Sequence, residues 1–290
     1  MVDIYGSHFE YNGISSRRYG LIFAGVDAER NAKLSGEING AFVFNKKTKS
    51  RHIIDNDYSD FPVSYEVDII SDNEVPIGSV ERREIEKWLF NRHGYKKLYL
   101  DLGDDLFGDT YEFIDGIQKR LYLNCRFINP ERLEYNGGVV GYHATIETDS
   151  GMWWQDAITK SFEVVLGGSG SGHRQAEFYV DVDTDVDDYI YPKLTIEISD
   201  YGKKSLWLTN MTDSGTRYTE FLQVAAGDTI VLDGNINYIS SGFYEKFSER
   251  NFPRLVDGKN RMHVGITTDA GDTGATTVSF SFEFNNRRAM

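Results

Sequence analysis

Short runs in which apolar and polar residues alternate recur along almost the whole chain of 290 residues. They are rich in Val, Ile, Tyr and Phe and are separated by Gly, Asn and Asp, which is the pattern of β-strands joined by turns. This pattern predicts a mainly β protein. The predicted strands of the first half are Gly20–Val26, Ala41–Phe44, Ser64–Ser71, Leu98–Leu102, Arg120–Ile128 and Val139–Thr148.

One stretch has the period of a helix instead, SVERREIEKWLFNR, which spans Ser79–Arg92. Ile85, Trp88 and Leu89 share one face, and the first turn is acidic, as suits the positive end of a helix. Ser79 is the predicted N-cap and Gly94 the predicted stop. The stretch is therefore predicted to be an amphipathic helix that covers a sheet.

The second half is nearly all strand, in regular short runs with turn signals between them, which favours a β-sandwich. A chain of this length also suggests about two domains of roughly 100 to 200 residues each. The segment GMWWQD, Gly151–Asp156, interrupts the strand pattern. We therefore predict an N-terminal β domain with one helix over residues 1–152 and a C-terminal sandwich over residues 153–290.

Charge and composition exclude several classes of protein. The formal net charge is −14. Nucleic-acid wrapping and docking on an anionic membrane both need a basic face, so neither is expected. The N-terminus lacks the features of a signal peptide, and no apolar run has the length of a membrane span. The single cysteine, Cys125, excludes an intrachain disulfide and is predicted to be a small core residue. We expect a soluble protein made in a cytoplasm.

A basic segment stands out within this acidic chain. Lys46, Lys47, Lys49 and Arg51 follow one β-run and precede the next. Two interpretations stay open. The segment is either the solvated tip of a hairpin or an extended arm that contacts a neighbouring subunit.

Two motifs that suggest ligand binding fail on their spacing. In GGSGSG, Gly167–Gly172, the third glycine of a dinucleotide loop would fall on His173, and no Lys-Ser/Thr pair follows. In DVDTDVDD, Asp181–Asp188, three aspartates have EF-hand spacing, but Val186 and Pro192 occupy the positions that need Gly and Glu. We interpret the first as a flexible loop and the second as a charged turn, and a looser calcium site at the second stays open.

No residues have the spacing of a catalytic centre. The histidines are too far apart in sequence for a local zinc pair, no Gly-x-Ser-x-Gly elbow occurs, and the cysteine has no activating context. The sequence therefore predicts neither an enzyme nor a bound cofactor or metal.

Aromatic residues of the second half offer a candidate binding surface, since sugar rings stack on aromatic side chains. Packing in the core or at an interface is the alternative interpretation. The candidate glycan-contacting residues are Trp207, Tyr201 and Tyr244, and Trp153, Trp154 and Tyr238 belong to the wider set.

Several short segments, taken in order, resemble the distal tail proteins of long-tailed, non-contractile phages, the siphophage tail-component family. FEYNGISSRRYGLIFAGVD, Phe9–Asp27, is similar to the family's opening segment, and REIEKWLF is similar to its helix. AAGDTIVLDG, Ala225–Gly234, is similar to a hairpin of the second domain. The family's Phe-Pro-x-Leu…Gly-x-Asn segment is matched by Phe252, Pro253, Leu255, Gly258 and Asn260.

The resemblance implies an N-terminal domain that forms a sixfold ring and a C-terminal sandwich, galectin-like or like a carbohydrate-binding module. Such a ring joins the tail tube to the baseplate hub at the tail tip of the virion. The implied partners are further copies in a homo-hexamer, the tail tube protein, the tail-associated hub protein, and a receptor-binding protein or host cell-wall glycan, with DNA only as passing cargo. The main alternative is a carbohydrate-binding adhesion module, and a tail hydrolase is a third.

Overall fold

The computed structural model describes residues 8–24, 38–45, 50–58, 64–73, 75–90, 94–101, 111–114, 117–167, 173–185, 188–199, 205–243, 246–267 and 274–288. The chain forms two compact units. Unit 1 comprises Met1–Asp156 with Arg287–Met290, and unit 2 comprises Ala157–Asn286. The sequence placed the boundary between residues 152 and 153, whereas the units divide between Asp156 and Ala157.

Unit 1 is built from short antiparallel strands around one long strand. That strand, β9, pairs with four others along its length. The main sheet has the order β2-β1-β7-β9-β10-β6-β3, with β8 and β11 also on β9 and β22 on β11. The strands are β1 His8–Tyr11, β2 Ile14–Ser15, β3 Leu21–Ala24, β4 Ile38–Asn45, β5 Ser50–Tyr58, β6 Ser64–Ser71, β7 Lys96–Asp101, β8 Tyr111–Ile114, β9 Ile117–Tyr135, β10 Gly138–Thr148, β11 Trp153–Gln155 and, after unit 2, β22 Arg287–Arg288.

The core of unit 1 is an aromatic cluster under one α-helix, α1, Ser79–Leu89. Phe9 stacks on Phe23 with ring centroids 4.2 Å apart. Trp88 of the helix lies parallel to Phe9 at 5.8 Å and donates its indole N–H to the Tyr11 carbonyl at 2.8 Å. The three apolar helix residues predicted to share a face are all buried. The amphipathic helix over a sheet is thus confirmed.

The ends of this helix differ from the prediction. The N-cap is Gly78, which is extended and makes no side-chain cap, so Ser79 is the first helical residue and its predicted capping role is wrong. The helix ends at Leu89 instead of Arg92, since Phe90 already leaves helical geometry. Gly94 does adopt a positive φ, +56°, just before β7. A short 3₁₀ helix, Ser16–Tyr19, lies between β2 and β3.

Unit 2 contains two five-stranded antiparallel sheets. Their orders are β12-β21-β14-β17-β18 and β13-β20-β15-β16-β19, called here the first and the second sheet. The strands are β12 Ile158–Leu166, β13 His173–Val182, β14 Lys193–Ile198, β15 Ser205–Asn210, β16 Tyr218–Leu222, β17 Thr229–Asp233, β18 Tyr238–Ile239, β19 Phe247–Arg250, β20 Gly258–Thr267 and β21 Thr276–Phe284.

The two sheets of unit 2 pack face to face. Phe178 of the second sheet lies 5.0 Å from Phe162 and 5.2 Å from Phe280, both in the first sheet. Along β21, buried residues alternate with half-buried or exposed ones. This period of two is what one buried face requires. The mainly β class and the C-terminal sandwich predicted from the sequence are therefore confirmed.

Candidate functional site

The basic segment predicted as an arm lies at the end of a two-stranded ribbon. β4 and β5 pair antiparallel from Ile38 opposite Tyr58 to Asn45 opposite Ser50. Within the described residues these two strands form a sheet of their own and pair with no other strand. Lys46, Lys47 and Lys49 lie outside the described residues. The backbone of Arg51 pairs with that of Phe44, next to the connection.

The predicted aromatic residues do not all belong to one surface. Trp153 is fully buried in the core of unit 1, because β11 pairs with β9 and β22. Trp154 lies in the same strand, so neither Trp belongs to the sandwich, and their place in the candidate surface is wrong. Tyr238 is 48% exposed but lies in the first sheet, in β18. Tyr201 and Tyr244 lie outside the described residues.

Trp207 does lie on the outer face of the sandwich. It is half-buried in β15, between the buried residues Leu206 and Leu208 that face the core. In register, Trp207 pairs with Gly265 of β20 on one side and with Glu220 of β16 on the other. A Cβ on Gly265 would come within 2.3 Å of Cζ2 and 2.8 Å of Nε1 of the indole. The edge of the indole therefore rests where a larger residue would place its side chain.

Two further rings flank this indole, and the sequence analysis missed both. His263 lies 5.0 Å from Trp207 with its ring at 88° to the indole plane. Tyr218, which is 39% exposed, lies 5.8 Å away at 85°. Both belong to one register row, since Thr209 pairs with His263 and with Tyr218. Period-two alternation places each residue on a face of its own strand, but the sequence does not tell which strands are neighbours.

The charges next to these rings are paired. Arg261 binds the two carboxylate oxygens of Glu177 at 2.6 and 3.0 Å, and Glu177 pairs in register with His263. The hydrogen bonds from Arg261 lower the pKa of Glu177 below its ordinary value. Lys259 lies over the ring of Tyr179 at 4.3 Å. Arg261 and Glu177 therefore neutralise each other next to His263.

The outer face of the first sheet is different in character. A groove of about 320 Å³ runs across β12, β21 and β14. The side chains that alternate outward on these strands are hydroxyls and carboxylates, with Phe162 and Phe280 at the base. The polar lining is Ser161, Glu163, Thr195, Glu197, Ser279 and Ser281. This face lacks the ring arrangement that surrounds Trp207.

The segment before β20 is held by a buried amide. Asn260 is fully buried, and its Nδ2 donates to the carbonyls of Val256 at 2.7 Å and Gly258 at 3.1 Å. Its Oδ1 accepts from the Val256 N–H at 2.9 Å and from Asn210 Nδ2 at 2.7 Å. β20 begins at Gly258, so both Gly258 and Asn260 of the matched motif lie in this strand. The Gly-x-Asn part of the motif is a structural clamp.

A second clamp fixes the same segment from outside. The guanidinium of Arg254 binds both carboxylate oxygens of Asp213 at 2.7 and 3.0 Å, and it lies 3.6 Å from the ring centroid of Tyr189. Leu255 forms an antiparallel bridge with Ile190. The segment is therefore tied to Asp213 on one side and to the adjacent residues Tyr189 and Ile190 on the other.

The titratable groups of unit 1 give no sign of a catalytic centre in the described part of the chain. The thiol of Cys125 is fully buried, as predicted, and burial raises its pKa far above the ordinary value. Burial likewise raises the pKa of Tyr122 to about 12. Both shifts favour the neutral, unreactive forms, which is the behaviour of core residues rather than of nucleophiles or bases.

Within the described ranges, no three His, Cys, Asp or Glu side chains come together as metal ligands would. Residues 186 and 187 of the Asp-rich segment lie outside these ranges. The helical segments in the described part of the chain fall short of the length and apolarity that a membrane span requires.

Residues 4–150 match the family model described as "Phage tail protein N-terminal domain", and residues 171–281 match the one described as "Phage tail C-terminal domain". The chain belongs to this family of phage tail proteins. It is therefore a component of the phage tail.

One solved structure shows the same fold. The crystal structure of the Dit protein of phage SPP1, described as a paradigm of the hub adsorption apparatus of phages that infect Gram-positive bacteria, has a TM-score of 0.58 at 10% identity. The match covers 96% of this chain and 99% of that one. The resemblance to distal tail proteins is thus confirmed by family and fold.

The baseplate of phage P2 in its activated conformation is also similar. The form with Ca has a TM-score of 0.48 at 10% identity, and the form with Sr has 0.47 at 9%. Each match covers 91% of this chain and 98% of the baseplate chain. No curated protein matches the sequence.

Proposed function

We propose that this tail protein forms a hexameric ring at the tail tip, which joins the tail tube to the baseplate hub and anchors peripheral or receptor-binding proteins. Membership of the tail family and the Dit-like fold support this role. A component can continue the channel of a tube only if its subunits form a closed ring. Identical subunits form such a ring through cyclic symmetry. The partners would be the tail tube protein, the hub protein and further copies of this chain, with DNA passing through as cargo.

The observation that carries this proposal is the isolated ribbon of β4 and β5. A two-stranded hairpin alone is at best marginally stable in water. The sequence of this ribbon includes the apolar run Phe42–Phe44 and the pair Ile53–Ile54, which gain by burial. In a ring, a neighbouring protomer would supply contacts to the ribbon and an acidic surface for the basic connection. The ribbon is thereby proposed to be an inter-subunit arm.

The energetic role of the four cations would be collective. A solvent-exposed ion pair contributes only about 0.2 to 1 kcal/mol, so the loss of one should have little effect. In a closed ring every subunit makes the same contact, so the small contributions repeat around the ring. Salt should weaken them, because exposed charges are screened.

The test is the mass of the purified protein in solution, alone and with the hub protein. We expect a hexamer, or two stacked rings, at sufficient concentration. The variant with Lys46, Lys47, Lys49 and Arg51 all changed to Ser should assemble only at higher concentration, and its difference from the wild type should shrink at high salt, where the wild-type ion pairs are screened. A wild-type monomer at every concentration, with and without the hub protein, would contradict the ring.

A matched control removes four exposed cations of the same unit, Arg17, Arg18, Arg83 and Lys87, by changing each to Ser. We expect this variant to assemble like the wild type. Equal weakening of both variants would mean that net charge, and not the ribbon, controls assembly. Unchanged assembly of the ribbon variant would identify the segment as a solvated hairpin tip.

The proposed role requires no chemical step, and we propose that the protein is not an enzyme. The measurement is turnover of peptidoglycan and capsular polysaccharide by the purified protein. Hydrolysis that disappears on a single Asp→Asn or Glu→Gln change would contradict this part of the proposal.

A second candidate function is adhesion to host glycans by the sandwich. The observation that favours it is the half-buried Trp207 on the outer face of the second sheet, flanked by His263 and Tyr218. The two functions are compatible, because a ring subunit can carry a binding site on its second unit.

A further inference from the structure

Three rings on the outer face of the second sheet form a defined arrangement, which we call the Trp207 platform: Trp207, Tyr218, His263 and the glycine beneath them, Gly265. We infer that this platform binds a neutral polysaccharide by stacking one pyranose ring on the indole of Trp207. The inference deepens the second candidate function and does not depend on ring formation.

The indole forms the floor of the proposed binding site, and its neighbours fix its position. Its Nε1–Cζ2 edge occupies the space above Gly265, where any side chain would collide with it. His263 and Tyr218 stand almost perpendicular to it, at 88° and 85°. Three rings that fix one another lose little freedom when a ligand binds, so the surface is organised before binding.

A pyranose ring fits this floor chemically. One face of many hexoses presents several C–H groups, which pack on an aromatic face, while the hydroxyls around the ring need hydrogen-bond partners. Gln175 is exposed in the same register row, opposite Gly265. Glu177 and His263 lie in the next row. The apolar indole offers a surface for the C–H groups, and the amide, carboxylate and imidazole groups around it offer hydrogen-bond partners for the hydroxyls.

The ligand should be uncharged. Of the two cations near the platform, Arg261 is already bound by both oxygens of Glu177, and Lys259 lies over the ring of Tyr179. A phosphate-bearing or uronic polymer would have to break that pair, and it would also approach a chain of net charge −14. A neutral hexose or N-acetylhexosamine polymer meets neither obstacle.

The size of the platform also favours a saccharide over a protein partner. A stable protein interface takes about 800 Å² from each partner. Large aromatic side chains bury roughly 150 to 250 Å² each when fully covered. The platform rings are already partly covered, with Tyr218 39% exposed and Trp207 half-buried. The area left suits one or two sugar rings.

The experiment titrates the full chain with soluble tetrasaccharides of glucose, galactose and N-acetylglucosamine, and separately with a glycerol phosphate polymer. Binding is measured by calorimetry and by saturation-transfer NMR. We expect at least one neutral tetrasaccharide to bind with a Kd of about 1 mM or tighter, a range that weak lectin-type contacts reach. Trp207→Ala should weaken binding by at least about tenfold, which is 1.4 kcal/mol.

A second variant leaves the tryptophan in place. Gly265→Ala puts a methyl group where the indole lies, so it should displace the ring and weaken binding about as much as Trp207→Ala. Tyr218→Ala, at an exposed position, serves if either variant fails to fold. The matched control is Tyr238→Ala, an exposed tyrosine of the first sheet, which should bind like the wild type.

Each contrary result overturns the inference. Absence of binding by all three neutral tetrasaccharides at about 10 mM excludes the ligand class. If only the glycerol phosphate polymer binds, the ligand is not neutral. If Trp207→Ala binds the tetrasaccharide as tightly as the wild type, or if Tyr238→Ala loses as much affinity as Trp207→Ala, the Trp207 platform is not the site. The mass of Trp207→Ala is measured in parallel and should equal that of the wild type. Failure of glycan binding with intact assembly is thus distinguishable from failure of the ring.

Discussion

Replacing Asn260 by Ala should destabilise unit 2 far more than its size suggests. The side chain is fully buried and makes its bonds to the segment before β20 and to Asn210 of β15. Alanine would leave two donors without this acceptor, a buried N–H of Asn210 and the half-buried N–H of Val256. A buried donor left unpaired costs about 1 to 3 kcal/mol, and the Val256 N–H adds less because water can reach it. This is a large share of a typical domain stability of about 5 to 15 kcal/mol.

The assay is urea unfolding followed by circular dichroism, with hydrogen exchange of residues 251–262 as a local readout. The matched control is Asn235→Ala. Asn235 is exposed and donates from Nδ2 to the Tyr191 carbonyl at 2.7 Å. Losing this hydrogen bond should lower the free energy of unfolding by less than about 1 kcal/mol, because water can bond the Tyr191 carbonyl instead. N260A costing no more than N235A would refute the clamp.

The variant N260D tests the direction of the hydrogen bonds. An oxygen would replace Nδ2 and face the carbonyls of Val256 and Gly258, which lie 2.7 and 3.1 Å from Nδ2. Burial and these carbonyls raise the pKa of the new carboxyl in the folded state. The destabilisation should therefore be largest at neutral pH and shrink as pH falls through that raised pKa. A pH-independent effect of N260D would contradict this assignment.

Three further outcomes are expected. Gly141→Ala should cost more than about 3 kcal/mol or prevent folding, because its Cβ would lie 2.2 Å from the Ile69 carbonyl of β6, and urea unfolding measures this. The thiol of Cys125 should resist a thiol reagent at pH 8 in the native protein and react in urea, since burial raises its pKa; rapid native labelling would contradict this. Arg261 lowers the pKa of Glu177 from its ordinary 4.5, so the ion pair stabilises unit 2 above about pH 4.5, and this stabilisation is lost as the pH falls through the lowered pKa. Glu177→Gln should therefore lose less thermal stability at acid pH than the wild type. Identical curves of melting temperature against pH would refute this.

Much of the fold could be predicted from local pattern. Period-two alternation is set by which residues of a single strand face the core, so it located most strands and the sandwich. The face of α1 followed in the same way from Ile85, Trp88 and Leu89. The N-cap did not follow, because the cap is set by the residue at which the backbone turns helical, and that residue is Gly78 instead of Ser79.

The family resemblance came from short ordered segments, and one of them proved to be structural. Asn260 matched a family motif, yet its role as a clamp depends on Asn210, fifty positions earlier. The sequence contains both residues but not their distance. The unit boundary shows the same limit, since Trp153 joins unit 1 only because β11 pairs with β9 and β22.

By itself, the sequence determined the β class, the amphipathic helix α1, the buried cysteine, the acidic charge and the tail family. Each of these depends on residue type or on near neighbours along the chain. Only the tertiary structure decided that β4 and β5 stand as a separate ribbon and that Trp207 meets His263, Tyr218 and Gly265. Strand order and register decide such contacts, because they place residues that are far apart in sequence next to each other. The register itself is set by which face of each whole strand is buried.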